Sequence, residues 1–232
     1  MLKSTVMTSV GKEHAAAGCS CEDVVLTIET ESFCFYGLAD GQSRKRYCTE
    51  GAYISLAAAA EYIESSGVDV CRAQQDFCDL QYALARTIRA GLERAAEEHS
   101  ADIFEFGSTL IAMGVDPASG RYVLAHLGDG RVAGVRGGET RSLSPPENGL
   151  CLNQTWLTTS PDAARHIRVY AGSVAAYGRI IMMSDGADGV FRRGERMGKA
   201  GLAADKDGHA LLEYIAENRQ DDDSTCIIID CD

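Results

Sequence analysis

The sequence has no apolar run that approaches the roughly 18 residues a membrane-spanning helix requires. Its first ten residues also lack the long apolar stretch of a secretory signal peptide. Basic residues are scarce, since 22 Lys and Arg stand against 34 Asp and Glu, and the formal net charge is −12. Because nucleic-acid phosphates need a basic face, this charge argues against a nucleic-acid partner. We therefore expect a cytoplasmic protein that binds neither membranes nor nucleic acids.

Several catalytic signatures are missing as well. The chain has no G-x-x-x-x-G-K-[ST] phosphate loop, no H-E-x-x-H zinc helix and no G-x-S-x-G nucleophile elbow. Its nine cysteines include no C-x-x-C pair, which leaves a zinc site as a minor alternative. Their scatter predicts free thiols in a reducing compartment, with Cys34 and Cys226 packed inside strands.

The hydrophobic pattern predicts blocks of strands separated by helices. The chain is 232 residues long and 45% apolar, which predicts one domain with a sizeable core. The three strands between 108 and 136 are joined by short turn-forming links, so we expect them to be antiparallel neighbours. The absence of regular β-α alternation favours antiparallel sheet packed with helices, an α+β fold. The predicted strands are 24–28, 33–39, 108–115, 121–127, 131–136, 167–170, 179–183 and 226–229, and the predicted helices are 50–66, 76–100 (with Asp76 as N-cap) and 207–218.

The strongest chemical signal is a carboxylate at the end of a buried strand. The apolar run of 33–41 ends in Asp40 followed by glycine, and 180–186 repeats this design with Asp185. Glycine beside the carboxylate lets the backbone approach whatever the carboxylate binds. We expect Asp40 and Asp185 to follow neighbouring strands and to share metal ions. The acidic triplet 221–223 precedes another apolar run and is interpreted either as a solvated loop or as a source of a further ligand.

Other candidate residues have ordinary structural interpretations. Asp188 and Asp207 also precede glycine, and we interpret both as plain turns because Asp-Gly is a favoured turn dipeptide. His126 lies inside a predicted strand and is interpreted as a core residue rather than as a base.

Carboxylates that converge need a cation between them. Two carboxylates about 4 Å apart repel by roughly 4 kcal/mol at an effective dielectric constant of about 20. Three or more would use a large share of a domain's stability of about 5–15 kcal/mol. Mg²⁺ and Mn²⁺ prefer oxygen ligands and remove this repulsion. If the strand ends meet, the site therefore requires a divalent metal.

The order of seven short motifs resembles that of the metal-dependent, type 2C protein serine/threonine phosphatases. The resemblance runs over nearly the whole chain. It implies a four-layer αββα sandwich, in which two stacked antiparallel sheets are flanked by helices, and residues 1–232 would form a single catalytic domain. The motifs are Glu22-Asp23, 39–41, Gly51-Ala52, 107–110, 125–131, 184–186 and 222–225.

The same resemblance implies a site for two Mn²⁺ or Mg²⁺ ions, with a third and looser ion in bacterial members. Asp40 would be shared by both tightly bound ions, and the Gly41 carbonyl would be a ligand. The implied catalytic residues are Asp40, Asp185 and Asp222, and the implied metal ligands are Glu22, Asp23, Asp40, Gly41, Asp129, Asp185 and Asp222, of which Asp129 would help to bind the third ion.

The implied reaction is the hydrolysis of serine and threonine phosphomonoesters of a phosphoprotein by a water that two metals activate. Two alternatives stay open. One is a catalytically weak phosphopeptide-binding or regulatory module on the same fold, and the other is a two-metal phosphodiesterase. The oligomeric state is not indicated by the sequence.

The chain departs from the family pattern at the residues expected to bind phosphate. Family members often carry an arginine shortly before the first acidic pair, but here no arginine precedes Arg44, and Lys12 and His14 are the nearby cations. Gln42 stands where many members have a histidine, and its amide cannot act as a general acid. We expect Arg44 or Lys45 to bind the substrate phosphate, because cationic side chains form charge-assisted bonds to phosphate. The alternative interpretation is a solvated basic loop.

Overall fold

Ten strands form two antiparallel sheets in the part of the chain that the computed structural model describes, which is residues 2–67, 77–149, 154–196, 209–218 and 220–231. The strands are β1 Lys3–Ser9, β2 Asp23–Glu29, β3 Cys34–Asp40, β4 Leu110–Asp116, β5 Arg121–Leu127, β6 Arg131–Arg136, β7 Glu139–Ser144, β8 Arg168–Ser173, β9 Arg179–Met183 and β10 Ser224–Asp230. The helices are α1 Lys12–Ala17, α2 Cys48–Ser66, α3 Phe77–His99, α4 Ala163–His166, α5 Asp185–Arg196 and α6 His209–Glu217.

The first of two compact units comprises Met1–Asp23, Gly130–Pro146 and Val174–Asp232. Its sheet has the strand order β1-β10-β9-β6-β7. The central strands β9 and β10 are almost wholly buried, which explains why they read as continuous apolar runs in the sequence. Helices α5 and α6 bury an apolar face against side chains of this sheet, and that core includes Ile181, Met183, Val190, Phe191, Leu211, Ile215, Cys226 and Ile228.

The second unit comprises Val24–Asp129 and Glu147–Ser173. Its sheet has the strand order β2-β3-β4-β5-β8. Helices α2 and α3 pack against the apolar side chains of this sheet in one large core cluster. Leu80, Leu84, Ile88 and Leu92, spaced four residues apart along α3, are buried in that cluster.

The predicted fold class, α+β with two antiparallel sheets and flanking helices, is confirmed. The bounds of β5, β6 and β9 agree with the prediction to the residue. Cys34 and Cys226 are buried in strands, as expected, and His126 is a buried residue of β5. The predicted N-cap Asp76 and the Asp-Gly pair at Asp207 lie outside the described residues. Among the described helices, none is both long enough and apolar enough to cross a membrane.

Two predictions about strand neighbours are wrong. Strand β6 pairs with β7 and β9 rather than with β5, because the chain changes sheets at the link between β5 and β6. Gly128 in that link has a φ of 110°, a left-handed conformation that favours glycine. Asp40 and Asp185 do not follow neighbouring strands, since β3 and β9 belong to different sheets.

Candidate active site

One edge of the first sheet brings together two of the predicted aspartates. Strands β9 and β10 are antiparallel, with Met183 opposite Cys226. The last residues of β9 therefore lie beside the first residues of β10. Asp185 comes two residues after the end of β9 and begins α5, and Asp222 comes two residues before the start of β10. Both aspartates consequently lie at the same sheet edge.

Ser184 and Thr225 fix this edge with reciprocal hydrogen bonds. The backbone N–H of Ser184 donates to the carbonyl oxygen of Thr225 at 3.0 Å. The backbone N–H of Thr225 donates to the hydroxyl oxygen of Ser184 at 2.9 Å. Both residues are buried, so the bonds are shielded from water and hold the positions from which Asp185 and Asp222 project.

Asp23 is a buried carboxylate whose two oxygens have no hydrogen-bond partner of normal geometry. Its side chain belongs to a residue that is 8% exposed. Burial raises the pKa of Asp23 to about 7, and the negative charges of Asp223 and Asp185 add to the rise, while the nearby hydroxyl groups of Thr225 and Ser184 lower it. A buried, poorly satisfied carboxylate is costly unless a cation or a proton neutralises it.

Asp223, the neighbour of the predicted ligand Asp222, anchors the segment that carries the first acidic motif. Its carboxylate accepts the N–H of Gly11 at 2.7 Å and the N–H of Glu22 at 2.6 Å. It also pairs with Nδ1 of His14 at 2.9 Å. Burial raises the pKa of Asp223, but these hydrogen bonds outweigh it and lower the pKa below its ordinary value.

His14 lies between two carboxylates. Its Nε2 atom is 3.5 Å from Oε2 of Glu22, and that oxygen is buried without a hydrogen bond. Burial lowers the pKa of His14, but the hydrogen bond to Asp223 and the charges of Asp223, Glu22 and Asp222 outweigh it and raise the pKa. When protonated, His14 therefore places a positive charge between these carboxylates.

A second charged group lies beside Asp185. Asp188 is 1% exposed and forms ion pairs with Arg131 at 2.5 Å and with Arg192 at 3.0 Å. Arg131 is the first residue of β6 and pairs with Met183 at the end of β9. The interpretation of Asp188 as a plain turn is wrong, because the residue lies inside α5 and its carboxylate joins this helix to β6.

The second unit places Asp40 and Asp129 at one edge of its own sheet. Thr109, which precedes β4, donates its N–H to the carbonyl oxygen of Asp40 at 2.8 Å and accepts the N–H of Asp40 on its hydroxyl at 2.9 Å. Gly41 pairs with Ser108 in an isolated β-bridge. Strands β3 and β5 flank β4 and run in the same direction, so Asp40 and Asp129 follow strands that end at the same edge.

Gln42 packs against the segment that precedes α4. Its N–H donates to the carbonyl oxygen of Gly107 at 2.8 Å. A methyl group on Gly107 would lie 2.8 Å from Oε1 of Gln42 and 3.1 Å from Oγ1 of Thr159. The amide of Gln42 therefore lies near the buried side chain of Thr159, directly after Asp40 and Gly41 in the chain.

The two residues predicted to bind phosphate differ in their surroundings. Lys45 forms an ion pair with Glu105 at 3.3 Å, and the N–H of Arg46 donates to the same carboxylate at 3.1 Å. This hydrogen bond and the contact with Lys45 lower the pKa of Glu105. Arg44 is exposed and has a φ of 67°, a left-handed conformation that is uncommon for residues other than glycine.

The residues present fit a hard divalent cation. The predicted ligands offer carboxylate and carbonyl oxygens, the donors that Mg²⁺ and Mn²⁺ prefer. Asp23 supplies the structural observation, because its two buried oxygens have no hydrogen bond of normal geometry and burial raises its pKa. Across the described ranges, no group of three or more His, Cys, Asp or Glu side chains is arranged so that it could hold a metal ion. The fit therefore depends on the donor chemistry and on the unsatisfied oxygens of Asp23.

The sequence did not predict the contacts of three acidic residues, Asp223, Asp188 and Glu147. Asp223 stood next to a predicted ligand, yet its role depends on contacts with Gly11 and Glu22 that are more than 200 positions away. The ion pairs of Asp188 were not predicted, because the glycine that follows it suggested a turn. Glu147 pairs with Arg168, the first residue of β8, but it lies in a segment without periodicity, and no signal in the sequence linked the two residues.

The architecture defines a class: an α+β fold with two five-stranded antiparallel sheets, each with its own helices. A sequence profile described as protein phosphatase 2C matches residues 10–217. The chain belongs to the protein phosphatase 2C family. The predicted resemblance and the predicted enzyme class, a protein serine/threonine phosphatase, are thereby confirmed. No curated protein sequence gives a match.

Solved structures share the fold over the whole chain. A bacterial serine phosphatase is 13% identical, with coverage of 100% of this chain and 98% of that chain and a TM-score of 0.72. The serine/threonine phosphatase Stp1 from Staphylococcus aureus is 14% identical, with coverage of 99% and 95% and a TM-score of 0.71. The catalytic domain of the phosphatase PstP, in complex with two manganese ions, is 17% identical, with coverage of 99% and 97% and a TM-score of 0.66. Because the sequence identities are so low, the similarity to these structures establishes the fold alone.

Proposed function

We propose that this protein hydrolyses serine and threonine phosphomonoesters of phosphoproteins with two divalent ions, Mn²⁺ or Mg²⁺, and that a third ion binds more loosely. The observation that carries the proposal is Asp23, a buried carboxylate with unsatisfied oxygens beside the Asp185 and Asp222 edge. Membership of the phosphatase family supports it. The two manganese ions in the solved PstP domain support the choice of metal.

The proposed ligands divide between the two sheet edges. Asp40, Gly41 and Asp129 belong to the second unit, and Glu22, Asp23, Asp185 and Asp222 belong to the first. We propose that both sets act together, so that residues 1–232 work as one catalytic domain with Asp40 shared by the two tightly bound ions. When bound, the ions would activate water for attack on phosphorus and offset charge on the phosphoryl oxygens.

The chain's own residues hold and orient these donors. Thr109 fixes both backbone polar groups of Asp40, and Ser184 with Thr225 fixes the backbone beside Asp185. Asp223 fixes the backbone of Glu22. Such outer contacts keep metal ligands in place before the metal binds and strongly affect its affinity. Because water attacks phosphorus in the proposed reaction, no nucleophilic side chain is required. The lack of a nucleophile motif in the sequence agrees with this.

The direct test is phosphate release from a phosphoserine or phosphothreonine peptide, with Mn²⁺ and with EDTA. We expect turnover only with the metal, and loss of turnover in Asp40→Asn and Asp185→Asn. Mn²⁺ should raise the thermal unfolding midpoint of the parent by mass action, and this rise should shrink in Asp40→Asn. Full activity of either variant would contradict the assignment.

A phosphopeptide-binding or regulatory module is the second candidate. Gln42, whose amide cannot act as a general acid, lies near Thr159, Lys45 is already paired with Glu105, and His14 is held by two carboxylates. Because of these contacts, fewer side chains are available to protonate the leaving group or to bind the phosphate. Binding of a phosphopeptide without any turnover, in protein shown to contain metal, would favour this candidate. Preference for phosphodiesters over monoesters would instead favour the phosphodiesterase.

We propose that Arg44 contacts the substrate phosphate and that Lys45 assists it. Arg44 is exposed and follows Gly41 by three residues. Lys45 shares its charge with Glu105, so its contribution should be the smaller one. A cytoplasmic phosphoprotein is the proposed partner, and the described cysteines Cys19, Cys21, Cys34, Cys48, Cys226 and Cys231 are free thiols, as a reducing compartment would require.

A further inference from the structure

A group of charged and aromatic side chains holds the turn that presents Asp129. The carboxylate of Glu147 pairs with Nδ1 of His166 at 3.0 Å and with Nε of Arg168 at 3.0 Å. The indole ring of Trp156 stacks on His166 with ring centroids 3.6 Å apart and an interplanar angle of 10°. All of these residues belong to the second unit and are only partly exposed.

This group converges on one backbone atom, the carbonyl oxygen of Gly128. The N–H of Glu147 donates to it at 2.9 Å, and Nη2 of Arg168 donates to it at 3.1 Å. A carbonyl oxygen has two lone pairs, so these two donors satisfy it fully. One of the donors carries a full charge, which makes that bond stronger than a neutral one.

The opposite side of the same turn is confined by packing. Gly128 has a φ of 110°, and a methyl group at this position would lie 2.7 Å from the side chain of Thr109. Thr109 is also the residue that bonds both backbone groups of Asp40. The turn is therefore enclosed between Thr109 on one side and the Glu147–Arg168 pair on the other.

We propose that Glu147 and Arg168 are positioning residues for Asp129. They fix the carbonyl of Gly128 and thereby set the direction in which the next residue leaves β5. Neither side chain needs to touch metal or substrate for this role. The inference rests on the proposed function, in which Asp129 is a metal ligand, and it adds two residues that the family motifs did not indicate.

The test compares Arg168→Gln with the matched control Arg165→Gln. Arg165 is 70% exposed, lies three positions away on α4 and pairs with Asp162 rather than with Gly128. Bound Mn²⁺ is counted by titration with electron paramagnetic resonance of the free ion. The part of the binding that depends on Asp129 is defined as the part lost in Asp129→Asn. We expect Arg168→Gln to weaken that part about tenfold and Arg165→Gln to leave it unchanged.

Amide exchange of Glu147, followed by NMR, gives a second readout that does not involve metal. Because the Glu147 N–H donates to Gly128, its exchange should be faster in Arg168→Gln and unchanged in Arg165→Gln. If Arg168→Gln does not fold, Glu147→Gln serves instead, since it keeps the backbone donor but removes the charge that orients Arg168. Glu93→Gln on the exposed face of α3 is its control.

The outcomes separate the inference from the proposed function. Faster exchange together with weaker Asp129-dependent binding supports the positioning role. Unchanged Asp129-dependent binding in Arg168→Gln, or an equal loss of all Mn²⁺ binding, overturns it. If Asp129→Asn itself leaves Mn²⁺ binding unchanged, the metal assignment of Asp129 has failed, and the positioning role falls with it.

Discussion

The backbone N–H of Glu22 donates a hydrogen bond of 2.6 Å to Oδ2 of Asp223, so the start of the chain is tied to the loop before its last strand. The neighbouring backbone shows the same connection. The N–H groups of Lys12 and Glu13 at the start of α1 donate to the carbonyl oxygens of Gln220 and Asp221. Glu22 and Asp222, two of the proposed ligands, are therefore held by one local network within the first unit.

Removing the Asp223 carboxylate should cost stability as well as metal binding. Asp223→Ala would leave the buried N–H group of Gly11 and the partly buried N–H group of Glu22 without their acceptor. We expect the free energy of unfolding to fall by about 2 kcal/mol or more, measured by urea unfolding without metal. Asp221→Ala is the matched control, because its side chain is exposed and its backbone carbonyl is unchanged. Equal effects of the two substitutions would contradict the anchoring role.

Two glycines of α5 should respond in opposite ways to the same substitution. A methyl group on Gly186 would collide with the carbonyl oxygen of Asp223, whereas one on Gly189 would meet open space. Gly186→Ala should lower the free energy of unfolding by about 2 kcal/mol, because overpacking moves the backbone beside Asp185. Gly189→Ala should raise it by about 0.5–1 kcal/mol, because alanine favours the helix. Denaturant unfolding of both variants tests the pair, and stabilisation by Gly186→Ala would contradict the close approach.

His126 should make the fold sensitive to mild acid. Burial, with a contribution from the charge of Arg168, lowers the pKa of His126 well below its ordinary value of 6.5. In the unfolded chain the same histidine takes up a proton near pH 6.5. The contribution of neutral His126 to the free energy of unfolding is therefore fully present above that pH and is lost as the pH falls below it. Between pH 6.5 and 5.5 the loss should be about 1 kcal/mol.

The check is the free energy of unfolding in EDTA from pH 8 to pH 5, for the parent and for His126→Gln. The variant should be less stable at pH 8, since the buried site is altered, but its stability should fall less steeply below pH 6.5. Parallel curves for the two proteins would show that His126 does not carry the acid sensitivity.

The basic loop should affect substrate binding more than turnover. Arg44→Asn removes the charge and keeps a residue that tolerates the left-handed conformation. We expect KM for a phosphopeptide to rise about tenfold with little change in kcat, the loss of one charge-assisted contact. Lys45→Gln should raise KM less, because Glu105 already shares its charge. If neither substitution changes KM, the loop does not bind the substrate phosphate and is a solvated basic segment.

The sequence predicted the strands whose pattern depends on local composition alone. Strands β5, β6 and β9 are apolar runs between turn residues, and their bounds were predicted correctly. Strand β1 escaped prediction because its sequence is mostly polar and only half-buried. Helix α5 escaped because it contains three glycines and several charges, a poor helix composition that packing of Val190 and Phe191 compensates.

Sheet membership could not be predicted, because link length does not decide which strands pair. The short link at Gly128 suggested a hairpin, yet the chain there changes sheets. The roles of Asp188 and Asp223 depend on residues distant in sequence, namely Arg131 in β6 and Gly11 before α1. The family motifs indicated which carboxylates to expect, whereas the residues that orient them follow from tertiary contacts.

The central claim is that Asp40, Asp185 and Asp222 bind the same pair of ions. A crystal of the protein soaked in Mn²⁺, measured for anomalous scattering at the manganese edge, tests it directly. We predict two strong peaks, both within bonding distance of Asp40 oxygens, with Asp185 and Asp222 completing their coordination. Manganese peaks that contact Asp40 without Asp185 or Asp222, or no peaks at these carboxylates, would contradict the account.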